Sequence, residues 1–456
     1  MKKRYIALAI LGVAAAAAAI TAACRNVSEK EQRAREVRAE QLAVEEFKPV
    51  LRFAVASDVH ISVGDDARNP RLGELFKTAY AYAEGHKSYK KLDAVVLVGD
   101  ITDSGSQGEY DILKQLVKEN LREGTAFIPL MGNHDLHDTG EEGFMKNLDA
   151  QLDVHEIING FHFIGLSPQP EDTWHTPKQI LWMAGELHKA KKDDANKPIF
   201  TFQHGHIYKT VYVSRSWYTQ MSLPLHAVYS MYPQVINFSG HSHGPINNPL
   251  EIWQSRYTTL GTGTLKYFEM ERDISDNTVP AGSENAAQYL IVEVDANNRV
   301  RVMPYNLLTG DFFRTPATTD DANARLVFTV ENPTDRGTFA YTRARKKTST
   351  APWFDENARL TVTEAAANSV TVEFDQAQAN ECVYGYRITI APENEPKKTA
   401  AEKEIYSGYY FEPMPQKLSA TLEGLEPGKS YLAWVTPLNV WLMEGDFIYT
   451  TFTTEK

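Results

Sequence analysis

The sequence predicts a layered α/β domain, a sandwich of mixed β-sheets flanked by helices, followed by an all-β immunoglobulin-like sandwich at the C-terminal end. Short apolar runs bounded by polar or turn residues alternate with stretches of helical spacing between Leu51 and Phe238, the pattern of buried strands covered by helices. Asn-Gly and Asn-Asn pairs separate further strand-like runs, which adds antiparallel hairpins and makes the sheets mixed. Beyond about Phe313 the chain turns to Thr, Val, Tyr and turn residues with no long amphipathic helix. At 456 residues more than one domain is expected, and 43% hydrophobic against 23% charged residues excludes a collagen-like, coiled-coil or mainly disordered chain.

Taken in order, Lys2-Lys3-Arg4 and the apolar run from Tyr5 to Ala23 read as the charged and hydrophobic regions of an export signal. Thr21-Ala22-Ala23-Cys24 then resembles the lipobox of bacterial lipoproteins, in which the cysteine is acylated, although Thr21 stands where that family usually has an aliphatic residue. A lipid anchor, a plain export signal and an uncleaved anchor helix stay open; each places the protein outside the cytosol, and the lipid anchor would hold it in the cell envelope at the periplasmic or extracellular face of a membrane. Residues 1–24 are thus expected to be signal or anchor, and residues 25–49 a charged spacer, helical from Ser28 to Glu46 because Glu, Arg, Gln and Ala dominate it.

Strands are expected at residues 51–56, 94–98, 126–130, 199–202 and 235–238, with helices at 72–90, 109–121 and 177–189. Thr176 is the expected N-cap of the last helix and Pro177 sits in its first turn. Asn159-Gly160, between residues 154–158 and 161–166, predicts a type I′ hairpin, and Asn297-Asn298 splits another strand pair. Residues 50–312 form the expected α/β domain and 313–351 a linking β segment. Leu425-Glu426-Pro427-Gly428-Lys429-Ser430-Tyr431, followed by Leu432-Ala433-Trp434-Val435, resembles the tyrosine corner and next strand of a fibronectin type III domain, over residues 352–456. Phe374 stands where that family commonly has tryptophan.

Five expected strands end in metal-ligand residue types: Asp58-Val59-His60, Gly99-Asp100-Ile101-Thr102-Asp103, Gly132-Asn133-His134-Asp135, His204-Gly205-His206 and Gly240-His241-Ser242-His243. Strand ends are where the loops of an α/β sheet gather into a crevice. Two hard or borderline divalent cations need an oxygen ligand able to bridge them, with imidazoles and carboxamides completing each shell. The ordered set resembles the calcineurin-like metallophosphoesterase superfamily across roughly residues 50 to 310. That resemblance implies two divalent ions (Mn, Fe or Zn), one held by Asp58, His60, Asp100 and His243, the other by Asp100, Asn133, His204 and His241. A hydroxide shared by them would attack phosphorus in line.

His134 follows Asn133 and is expected to face the substrate as general acid or hydrogen-bond donor, with Asp135 orienting its ring. His206 is open between touching substrate, standing behind the ligands and replacing His204, which directly ends its strand; Asp103 is expected to organise its loop. Arg215, Trp217, Tyr218, Tyr229 and Tyr232 are candidates for the substrate mouth or for packing. Ser104 and Asp135 replace the arginine and glutamate usual in protein serine/threonine phosphatases, and Asp103 replaces the tyrosine ligand of purple acid phosphatases. The motifs are more similar to bacterial cyclic-nucleotide and glycerophosphodiester phosphodiesterases, which implies a small-molecule phosphate ester substrate, diesters ahead of monoesters. The competing expectation is a cell-surface binding or adhesion protein on a non-catalytic scaffold of the same fold.

The formal net charge of -12 grows more negative if Lys2, Lys3 and Arg4 are removed, so no nucleic-acid partner is expected. Cys24 and Cys382 are the two cysteines, which excludes a thiolate-rich metal site.

Overall fold

The computed structural model describes residues 47–169, 174–275, 278–314 and 325–456. The expected signal, anchor and helical spacer lie outside the described residues, apart from Phe47 to Pro49. Pro49 already belongs to the first strand, one residue before the expected domain start. Among the described residues no helix is long and apolar enough to cross a membrane.

The α/β region runs β1 (Pro49–Ala56), α1 (Pro70–Gly85), β2 (Ala94–Val98), α2 (Gln107–Asn120), β3 (Ala126–Leu130), α3 (Gly140–Leu148), β4 (Val154–Ile158), β5 (Phe161–Leu166), α4 (Pro177–Asp193), β6 (Ile199–Gln203), α5 (Ser222–Tyr229) and β7 (Val235–Ser239). It continues through β8 (Ile252–Gln254), β9 (Thr258–Gly261), β10 (Gln288–Asp295), β11 (Val300–Asn306), β12 (Asp311–Phe312) and β13 (Phe328–Val330). One sheet has the order β12-β11-β10-β1-β2-β3, with β13 on β11; the other is β4-β5-β6-β7-β9-β8. Pairing is parallel through β1, β2 and β3 and through β5, β6, β7 and β9, and antiparallel at the outer strands, so both sheets are mixed.

The two sheets face each other across one apolar core. Phe53 of β1 meets Phe163, Phe200 and Phe238 of the opposite sheet edge-on, with ring centroids 4.9, 4.8 and 6.1 Å apart. Helices cover the outer faces, α1 burying Leu72, Leu75, Phe76, Ala79 and Ala83 at helical spacing. Ser106 with Glu109, and Thr176 with Gln179, close capping boxes that start α2 and α4. Helix α1 stops at Gly85, short of the expected residue 90, because His86 turns extended. The short helices α3 and α5 escaped the periodicity reading; Gly140 and Gly143 weaken the helical signal of one and Pro224 that of the other. Asn159 and Gly160 both have positive φ, 52° and 75°, as a type I′ turn requires.

The C-terminal region pairs a three-stranded sheet of β14 (Leu360–Ala365), β15 (Ser369–Asp375) and β18 (Lys417–Glu423) with a four-stranded sheet of β16 (Val383–Pro392), β17 (Ala401–Tyr406), β19 (Ser430–Asn439) and β20 (Ile448–Thr453). All its pairings are antiparallel. Phe374 fills the space between the sheets, edge-on to Tyr386 at 4.8 Å. The Tyr431 hydroxyl accepts the Glu426 N–H at 2.9 Å, closing the expected corner. The linking segment is less β than expected: among its described residues the longest strand is β13, and the remainder is turns, because Pro333, Gly337 and the run from Arg343 to Lys347 interrupt any alternation.

Tyrosines join the two regions. The hydroxyls of Tyr212 and Tyr384 lie 2.8 Å apart, Tyr384 donates to Asp273 Oδ1 at 2.6 Å, and Tyr406 donates to the Glu271 carbonyl. Around them Phe268, Met270 and Ile274 pack with Tyr384, Tyr409 and Tyr410.

Candidate metal centre

Asp58 and His60 follow β1, Asp100 follows β2, Asn133 follows β3, His204 follows β6, and His241 and His243 follow β7. The ends of parallel strands in both sheets thus carry all seven residues. Backbone bonds tie the loops together: Asp58 N–H to Gly99 O at 3.1 Å, His60 N–H to Asp100 O at 2.9 Å and Gly240 N–H to His204 O at 2.9 Å. Asp58, His60, Asp100, His241 and His243 all hold positive φ, between 47° and 71°. Such conformations cost of order 1–3 kcal/mol each in non-glycine residues and persist where a site demands them.

The histidine tautomers follow from their outer partners. His204 Nδ1–H donates to Val98 O at 2.8 Å, His243 Nδ1–H to Tyr267 O at 2.9 Å, and His60 Nδ1 faces Asp103 Oδ1 at 3.1 Å. Each ring therefore turns Nε2 inward, as metal-bound histidines do. His60 Nε2 and His243 Nε2 stand 3.2 Å apart, and His243 Nε2 is 3.2 Å from Asp58 Oδ1. Two inward lone pairs so close call for a positive charge between them. His204 Nε2 lies 3.0 Å from Asp100 Oδ2 yet lacks hydrogen-bond geometry, and Asn133 Oδ1 is buried without a partner. Possible ligand atoms converge in three groups: Asp58, His60 and His243; His60, Asp100 and His134; Asp100, His204 and His241. Asp100 belongs to two of them, and this donor set fits divalent cations.

Residues 51–245 match the family model for calcineurin-like phosphoesterases, and residues 352–441 match that for fibronectin type III domains. The chain carries a calcineurin-like phosphoesterase domain. It is 28% identical over 158 residues to a cAMP/cGMP dual specificity phosphodiesterase of Mycobacterium tuberculosis, covering 32% of this chain and 48% of that protein. It is 35% identical over 100 residues to a probable cyclic nucleotide phosphodiesterase of Fibrobacter succinogenes, covering 21% of this chain and 36% of that protein. The chain therefore spans about half or less of the length of these relatives.

Within the phosphoesterase domain, electrostatics divides the clustered side chains. Burial resists charge on Asp58 and Asp100, but the facing histidines overcome it, holding Asp58 at about 2 and Asp100 far below the ordinary carboxylate range. Burial also opposes charge on His204, which Asp100 and Asp58 outweigh, raising it to about 9; burial dominates at His241, pushed down to about 3. His206 has both ring nitrogens engaged, by Ser239 Oγ and Ser242 Oγ at 2.7 Å each, so it stands behind the ligands and His204 carries the inward lone pair.

His134 lies beside the ligands, its ring 4.6 Å from that of His60. The expected orienting partner is corrected: its Nδ1 meets the carbonyl of Asp103 at 2.7 Å, not Asp135. Asp135 instead accepts from Gly132 N–H, Ile101 N–H, Thr102 N–H and Thr102 Oγ1–H, at 2.8 to 3.2 Å for the amides and 2.6 Å for the hydroxyl. Its carboxylate turns toward these donors and fastens the Asp100 loop to the Asn133 loop. Burial and the neighbouring Asp100 raise it to about 6.

The mouth is aromatic. Trp174 stacks on His204 at 6.0 Å, Trp217 stands edge-on to His241 at 4.8 Å, and Tyr267 packs on His243 at 4.2 Å. Of the candidate mouth residues only Trp217 reaches a ligand: Tyr229 and Tyr232 are core, Tyr218 pairs with Tyr208, and Arg215 lines a different cavity. Tyr267 and Glu269 went unnoticed, although alternation from Tyr267 to Met270 signals them: Phe268 and Met270 are buried on one side, leaving Tyr267 and Glu269 for the other.

Proposed function

We propose that this protein is an exported, metal-dependent phosphoric ester hydrolase with two divalent cations sharing Asp100, acting on phosphodiesters ahead of monoesters. The observation that carries it is the convergence of imidazole nitrogens and carboxylate oxygens from five strand ends, with His204 Nε2 and Asn133 Oδ1 buried and unpartnered among them. Asp58, His60, Asp100 and His243 would hold one ion, and Asp100, Asn133, His204 and His241 the other. Bound there, divalent cations polarise phosphoryl oxygens and lower the pKa of water. The chain's own residues then place and protonate the ester. The His134 backbone N–H bonds Asp100 Oδ1 at 2.9 Å and its Nδ1 is held by Asp103, so Nε2 is the end that hands a proton to the departing ester oxygen. Trp174, Trp217 and Tyr267 offer ring faces to an organic ester group and restrict water. The named activities of the two relatives support the diester preference.

Metal-loaded protein should hydrolyse bis(p-nitrophenyl) phosphate faster than p-nitrophenyl phosphate. Asp100→Ala should lose both activity and metal, and His134→Ala should keep its metal and lose activity chiefly on esters with a poor leaving group. Unchanged turnover in both variants would sink this reading, and one metal equivalent instead of two would remove the paired centre. Export with acylation at Cys24 rests on Lys2-Lys3-Arg4, the apolar run and the small residues before Cys24. Labelling with a fatty-acid analogue, lost in Cys24→Ser, checks it; a Cys24→Ser form that keeps the label refutes it.

A further inference from the structure

A cavity of about 600 Å³ opens where the phosphoesterase domain, the linking segment and the C-terminal sandwich meet, and none of the metal ligands lines it. Six cationic side chains and two carboxylates line it. The carboxylates are engaged: Asp273 accepts the Tyr384 hydroxyl at 2.6 Å, and Glu271 accepts the Ser216 hydroxyl at 3.0 Å. None of the six cations forms a close ion pair among the described residues, although Arg215 feels Asp273 and Arg345 feels Glu381 from farther off. Arg345 spends Nη1 and Nη2 on the carbonyls of Pro249 and Ile252, both at 3.0 Å, and its Nε is buried without a partner. Arg343 donates only to the Lys209 carbonyl, at 2.8 Å, while Arg215 and Lys346 have side chains free of hydrogen bonds and ion pairs among the described residues.

Guanidinium groups that outnumber the carboxylates in a concave wall concentrate anions, and their planar forks match phosphate oxygens. Aromatic surface lies beside them: Trp253 lines the cavity, and the Arg345 guanidinium rests 5.3 Å from the ring centre of Tyr341 and 5.9 Å from that of Trp441. The volume falls within the range that encloses an organic ligand.

We propose that this cavity is a second binding site, taking a phosphorylated organic anion of nucleotide size, with phosphate against the guanidinium groups and a ring against the aromatic side chains. The site is independent of the hydrolytic reading, so the test uses the full chain stripped of metal. Calorimetric titration with AMP should show saturable binding that weakens with salt, at least tenfold weaker binding of inorganic phosphate, and none of adenosine. The exposed double substitution Arg343→Met/Lys346→Met should weaken AMP binding at least tenfold with the circular dichroism spectrum unchanged. Absence of AMP binding, equal affinity for adenosine or phosphate, or unchanged affinity in the double variant would each overturn the proposal. AMP binding abolished by His241→Ala but not by the double variant would also overturn it, placing the nucleotide at the metal centre.

Discussion

Replacing Gly99 by alanine should damage the metal centre through a single methyl group. Gly99 has φ 86°, and a Cβ there would lie 2.3 Å from His204 Nδ1, the atom that holds the Val98 carbonyl at 2.8 Å. Gly124 is the matched control: its φ is 84°, and nothing lies within 4 Å of an added Cβ. The positive-φ penalty, about 1 kcal/mol, is common to both. Gly99→Ala must in addition push the buried His204 ring off its acceptor, which adds about 1–3 kcal/mol for an unmet buried pair. Urea denaturation of metal-free protein should thus show Gly124→Ala losing about 1 kcal/mol and Gly99→Ala about 2–4 kcal/mol. Metal analysis after dialysis should show full loading for Gly124→Ala and depleted loading for Gly99→Ala, since the displaced ring belongs to a proposed ligand. Equal destabilisation of the two variants, with equal metal, would refute the argument that the glycine exists to admit His204.

Asp135→Ala should cost about 3–5 kcal/mol by denaturation, because four donors lose one buried acceptor; a loss below about 1 kcal/mol would mean those donors find other partners. Glu251 is buried with neither oxygen partnered, and burial raises its pKa well above the ordinary value. The folded state therefore keeps a proton that the unfolded chain releases above about pH 4.3, and stability falls by up to about 1.4 kcal/mol per pH unit as pH rises from there toward the folded pKa. Glu251→Gln should flatten that decline in denaturation series across pH 5 to 8, and an unchanged slope would contradict it. His134→Gln should lower kcat about 10²- to 10⁴-fold on an ester with a poor leaving group and much less on a p-nitrophenyl ester, at unchanged metal content. A uniform loss on both would assign His134 to phosphate binding instead of proton delivery.

The site's loops were legible because few side-chain types suit a divalent cation, and Asp58, Asn133 and His243, all proposed as ligands, each stand just after an apolar run that reads as a strand. The strands themselves were legible because both faces are buried, which leaves uninterrupted apolar runs such as 94–98. Roles that depend on direction were not. The order Asn133-His134-Asp135 does not reveal that a short 3₁₀ turn at His134–Leu136 aims the carboxylate at the amides of Gly132, Ile101 and Thr102 and leaves the imidazole to a carbonyl. Trp174 was invisible for a related reason: it reaches His204 from outside the motif loops, and only tertiary packing brings it there.

Tyr384 belongs to β16 of the C-terminal sandwich, yet its hydroxyl ends on Tyr212 and Asp273, in the two stretches that lead to Trp217 and Glu269. The sandwich is thereby a buttress, and the family boundary at residue 352 is a poor place to cut. A shortened chain ending there would wet Phe268 and Met270, strand the Asp273 carboxylate without its hydroxyl, and slacken the rim of the centre while leaving every proposed ligand in the sequence.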